Sequence, residues 1–263
     1  MLNVRCSGQP KDCLPDRRVF QFWHMVGTII NAAAILLGGV AGLATKRQLS
    51  PTHQTALRIL LGAFTVYVGL GATWQGLSGS FARVLKQLAI VVVALILGNL
   101  CGKLLRIQKS LNYLGQYAKQ KVAQSLPGKG RRAGEGFVTC SILFCLTPMA
   151  VLGSLQDGLS GNFRVLTVKA VMDGLAITAF VTIFGSGAIL SVLPVVASQG
   201  TLTLLARMAE PWLARHALLD PINATAGLLV FCVALIVLEL KKIALADYLP
   251  SLIFAPLLAW LWP

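Results

Sequence analysis

From residue 24 to the C-terminus the chain is one apolar stretch after another, each of roughly 18 to 25 residues and separated by short polar breaks. A soluble core of this length has no use for so many uninterrupted apolar runs. The bilayer does, because a helix needs about 20 apolar residues to cross it. Only 12% of the residues are charged while 56% are hydrophobic, which fits spans joined by short loops and excludes an ordinary soluble domain. The expected fold is therefore all-α, a polytopic transmembrane helix bundle of about eight spans (seven to eight).

Spans are expected near 26–44, 57–78, 84–105, 137–155, 165–184, 188–206, 222–240 and 248–262. The last is short. Gly185, Gly187, Pro194 and Gly200 interrupt the stretch around the sixth, which predicts a kinked or discontinuous helix there. The chain divides into a polar N-terminal extension (1–24), membrane helices 1–3 (25–106), a basic cytoplasmic segment (107–136) and membrane helices 4–8 (137–263). Residues 1–24 lack the apolar core of a signal peptide, and Met25 is read as an alternative start.

The formal charge of +14 does not indicate nucleic acid, because the Lys and Arg side chains sit in loops between spans, without aromatic interleaving or a nucleic-acid motif. It is better read as an orientation signal. The segment from Lys103 to Arg132 holds eight Lys or Arg before the first acid at Glu135, which places it in the cytoplasm of a bacterial inner membrane. Alternation then puts both termini outside. Within this segment Ile107, Leu111, Leu114, Ala118 and Val122 recur at helical spacing against Lys109, Lys119 and Lys121. That pattern predicts a helix resting on anionic inner-leaflet lipid, so the partner expected for residues 103–132 is the membrane surface.

The sequence also repeats itself. Gln75 and the run Gly76-Leu77-Ser78-Gly79-Ser80-Phe81 recur as Gln156 and Gly158-Leu159-Ser160-Gly161-Asn162-Phe163, and Arg83-Val84-Leu85 recurs as Arg164-Val165-Leu166, nine identities in all. Both copies would join an outward helix to an inward one, a parallel helix-hairpin repeat. Ile30-Asn31-Ala32 is echoed more weakly by Ile222-Asn223-Ala224.

In this alignment Lys169 falls on Leu88 and Asp173 on Val92, so only one copy carries the charges. They are four residues apart and share a helix face. Asp173 is expected about 14 Å below the helix start, near the bilayer midplane, where a carboxylate costs about 2.5 to 3.5 kcal/mol on insertion scales. It must pair, protonate or face a cavity, and is the first candidate for an ion- or proton-coupling site. The remaining candidate binding residues are Lys169, Asp157, Gln156, Asn31 and Asn223, each of which also has a bland reading as loop chemistry or helix–helix packing.

Gly38 with Gly42 and Gly98 with Gly102 form two GxxxG spacings, which permit close helix approach either in the bundle or in a homo-oligomer. Cys101, Cys140, Cys145 and Cys232 lie in or beside apolar spans and read as small buried hydrophobes. No cofactor or metal is expected, since neither CxxC nor paired His ligands occur.

"GTIINAAAILLGGVAG" at 27–42, "GSLQDGLSG" at 153–161, "KAVMDG" at 169–174 and the closing "LPSLIFAPL" resemble the membrane family called domain of unknown function 554, the YqgA-like proteins. The resemblance runs from Met25 to the C-terminus and implies fold and location, but neither substrate nor catalytic residues. Pro148 in "LTPMA" departs from the family pattern and raises a local kink. The function expected is that of a secondary transporter or channel-like permease for a small solute or ion, coupled through a buried carboxylate. The alternative is a non-transporting scaffold or regulator using the basic loop. An enzyme is not expected, because no catalytic constellation or ATP-binding P-loop is written in the chain.

Overall fold

The structure, a computed structural model, describes residues 25–45, 50–77, 79–123 and 129–262. The tail with Cys6 and Cys13 lies outside the described residues, as do the side chains of Lys119, Lys121 and Val122. Every regular element among the described residues is helical. The order is α1 (Val26–Thr45), α2 (Pro51–Gly76), α3 (Phe81–Leu104), α4 (Ile107–Ala123), α5 (Lys129–Cys145) and α6 (Pro148–Ser160). After these come α7 (Arg164–Phe184), a 3-10 segment (Gly185–Ser191), α8 (Val192–Arg215), α9 (Leu219–Val237), a 3-10 turn (Leu245–Tyr248) and α10 (Ser251–Leu261).

By length and composition, 5 helical stretches of the described residues can cross a membrane, or up to 6 if the bent pair α5–α6 makes one span. One of them, Arg164–Arg215, is 52 residues long, about 78 Å if straight and far beyond a bilayer. It reverses instead. Asp173 and Gln199 both accept from the Asn31 amide, at 3.2 and 3.1 Å, which a straight helix would hold about 39 Å apart. The reversal starts at Gly185, whose φ of 73° is the left-handed conformation that glycine adopts without a Cβ clash.

The interruption expected in the sixth span is therefore the turn between two spans, and α8 itself runs on through Pro194. Proline is tolerated there because it sits in the first turn, where no intrahelical N–H acceptor is lost. A break does fall in the fourth span, at the Pro148 where the sequence raises a kink. Ala133–Cys145 and Pro148–Ser160 meet at 60°. Pro148 opens α6, and Thr147 caps it, its Oγ1 accepting from Ala150 N at 3.3 Å.

Glycines set the pairings and their directions. A methyl at Gly38 would lie 2.2 Å from the Gly174 carbonyl oxygen, and one at Gly42 would lie 2.7 Å from that of Thr178, so α1 and α7 run parallel in backbone contact. Gly69 and Gly76 of α2 meet Phe231 and Ala224 of α9 in antiparallel order, as Gly98 and Gly102 of α3 meet Ser251 and Asp247. Both GxxxG faces are thus filled by the chain's own helices, and a second copy would have to pack elsewhere. Lys86 of α3 stands 5.7 Å from the Trp262 ring centroid, so the short last helix with its 3-10 lead accompanies α3 for about 24 Å.

Candidate functional site

The two copies of the repeat differ in what they face. Leu88 and Val92 lie on the outward surface of α3, 42% and 46% exposed, while Lys169 and Asp173, at the matching positions of α7, are 2% and 6% exposed. The charges belong to the copy whose helix is walled in by protein. Gly79 and Gly161, aligned in the sequence repeat, both have positive φ, 119° and 66°.

At the centre, Lys169 Nζ forms an ion pair with Asp173 Oδ2, one helical turn away. The ammonium also stands 5.8 Å from the Phe144 ring centroid on α5, within cation–π range. Asn31 of α1 donates both amide hydrogens, one to Asp173 Oδ2 and one to Gln199 Oε1 on α8. Three helices are tied together by one carboxamide.

One face of α6 continues this polar interior. Asp157 is fully buried and accepts at Oδ2 from Gly27 N at 3.2 Å, so its carboxylate caps the start of α1 and meets the positive end of that helix. A methyl at Gly158 would lie 2.4 Å from the Thr203 carbonyl oxygen, so α6 lies tightly on α8. Thr28, Asn31, Ser154, Asp157, Gln199 and Thr203 each bury a polar side-chain atom without a hydrogen-bond partner, and Gln156 buries two. Natural interiors leave few such atoms, and their concentration between α1, α6 and α8 marks this as something other than an inert apolar core.

On the side of the basic helix, a cavity of about 300 Å³ reaches the ion pair. Lys169 and Asp173 line it together with Thr147 and Pro148 from the break between α5 and α6. Its other walls are largely apolar, from Met149, Met172, Val233 and Ile236, with Gln108 and Leu245 nearest the basic helix. Gln108 holds that end together. Its backbone N–H donates to Asp247 Oδ1 at 2.8 Å, and its side-chain oxygen accepts from Ala246 N at 3.0 Å. The apolar positions of α4 are covered in part by protein, Ala118 fully, while Lys109 is exposed.

The structure thus brings Asn31, Lys169 and Asp173 into direct contact and sets Gln156 and Asp157 in the adjoining polar layer. Asn223 is not among them. It is half-buried near the start of α9, whose main partner is α2. Sequence reasoning overlooked Gln199, Thr28, Ser154, Thr203 and the clamp at Gln108. For Gln199 a signal existed, since a fully buried carboxamide inside an apolar span needs a partner. The hydroxyl groups carried none, because Ser and Thr are common in membrane helices.

The profile of a family described as "Protein of unknown function (DUF554)" matches residues 26–260. Among curated proteins, the chain is 27% identical over 233 residues to "Uncharacterized membrane protein YdfK" of Bacillus subtilis, covering 88% of this chain and 94% of that protein. It is 24% identical over 241 residues to "Uncharacterized protein YqgA" of Escherichia coli, covering 90% and 97%. No solved structure matches.

Proposed function

The chain belongs to the DUF554 family of membrane proteins, and from that premise we propose that it is a secondary transporter or channel-like permease in the bacterial inner membrane, not an enzyme. The observation that carries this reading is a cavity that ends on a buried ion pair and is continued, past that pair, by partnerless polar atoms of α1, α6 and α8. A bundle that merely packs would fill both regions with apolar side chains. The basic helix α4 faces the cytoplasm, the cavity opens inward, and Asp173 couples solute movement to an ion or proton. The repeated hairpins are relics of a duplication in which one copy took the central position and the charges.

In proteoliposomes carrying an ion gradient, Asp173→Asn is expected to leave insertion and helix content intact while abolishing gradient-dependent uptake found in an unbiased solute screen. Uptake unchanged by the substitution would remove Asp173 from the mechanism. The exposed Lys109 and the clamped position of α4 support a second reading, in which this helix reports lipid or partner binding. Neutralising Lys109, Lys119 and Lys121 distinguishes it, since a scaffold would lose binding to anionic vesicles and a permease would keep its flux.

A further inference from the structure

We infer that the cavity beside Lys169 and Asp173 binds a zwitterionic α-amino acid with an apolar side chain of about leucine's size. For its purpose this rests on the permease reading, although binding is measurable without transport.

Each member of the ion pair keeps unused valence. An ammonium has three donors, and Lys169 commits one to Asp173. Asp173 accepts from both Lys169 and Asn31 at the same oxygen, Oδ2, and its Oδ1 is bonded to neither. The residual exposure of the two side chains, 3% and 9%, goes with their place on the cavity wall. A ligand carboxylate satisfies the remaining Lys169 donors, and a ligand ammonium donates to Asp173 Oδ1.

Electroneutrality selects the class. A neutral pair joined by a zwitterion stays neutral, whereas a lone anion or cation leaves a net charge beside two side chains that are only 3% and 9% exposed, where an uncompensated charge is disfavoured. The break at Thr147 and Pro148 adds to this, because the 13-residue α6 presents its positive end at the same cavity, where a carboxylate is favoured.

The walls select the side chain. Met149, Met172, Val233 and Ile236 offer apolar surface and, in the two methionines, adaptable shape. At about 30 Å³ per water, the cavity of about 300 Å³ holds on the order of ten waters, enough room for a small apolar amino acid.

The test is equilibrium binding of radiolabelled leucine, at up to millimolar concentration, to the full chain in lipid nanodiscs. Leucine is expected to bind, and alanine to compete at least about tenfold more weakly for want of the buried methylenes. Leucinamide, which lacks the carboxylate, and 4-methylpentanoate, which lacks the ammonium, are each expected to compete at least about tenfold more weakly, as each forfeits a charge-assisted bond. The double variant Lys169→Met/Asp173→Leu replaces the pair by apolar groups that buried sites accept. It should keep its helix content and monodispersity and lose leucine binding.

No leucine binding to the native chain overturns the inference, as does binding that survives in the double variant. Equal competition by either singly charged analogue replaces it with an anion or a cation site. The two readings fail separately. Asp173-dependent flux of some other solute, without leucine binding, sinks the amino-acid site and leaves the permease; leucine binding without flux of any solute does the reverse.

Discussion

Replacing Lys169 by methionine removes the one cation that faces Asp173 among the described residues while keeping an unbranched apolar stem in its place. The carboxylate side chain is 9% exposed and retains a single hydrogen bond, from Asn31. Breaking a buried pair in this way costs about 3 to 5 kcal/mol, because the penalty is that of a stranded charge and not the net worth of the pair. Asp173→Leu strands the ammonium instead, leaving it the Phe144 ring as its remaining partner, and a similar loss is expected. The double variant strands no charge, leaving unpartnered only the Asn31 amide hydrogen that Asp173 accepted, and should return to within about 1 to 3 kcal/mol of the native chain. Reversible unfolding in bicelles, applied to all four proteins as a double-mutant cycle, measures this directly. Additive losses, with the double variant the least stable of the set, would show that the two charges do not depend on each other and would refute the account of the site.

Two further outcomes test the packing. Gly102→Val should destabilise by about 1 to 3 kcal/mol, since even a methyl there would lie 2.0 Å from the Asp247 carbonyl oxygen, and hydrogen exchange should speed up over residues 245–262. Gly115→Ala in α4, where a methyl meets nothing within 4 Å, should instead stabilise by about 0.5 to 1 kcal/mol through its higher helix propensity. Asp157→Ala should cost about 1 kcal/mol through loss of the cap on α1, while Asp157→Asn, which keeps an acceptor, should cost a few tenths; equal losses would mean that the cap contributes nothing.

Much of this architecture is legible in the residues. Apolar length placed the spans on the helices, with α1 and α7 found within a residue or two of 26–44 and 165–184. The depth argument singled out Asp173 because a carboxylate inside a span must be accommodated, and the structure accommodates it with Lys169 and Asn31. Pro148 pointed to a kink at the break between Cys145 and Pro148, but not to its size of 60°, since apolar composition continues across it and hydropathy does not report direction. Which helix each glycine would meet was hidden for another reason: GxxxG states how near a neighbour comes and not whose it is. Gly38 found Gly174 of the same chain. The charges at Lys169 and Asp173, against Leu88 and Val92, mark one copy of the hairpin as the one to be enclosed, but not the helices that enclose it, which are α1, α5 and α8.

The bend at Pro148 also bears on biogenesis. Helix α6 is 13 residues long, about 20 Å, too short to be released into lipid as a free span, and it bears Gln156 and Asp157 on its buried surface. Its partner α8 is synthesised some forty residues later. Until α8 emerges, the face of α6 that bears Gln156 and Asp157 lacks one of its walls, so burial of this polar layer is completed only after the helix that carries it has been made.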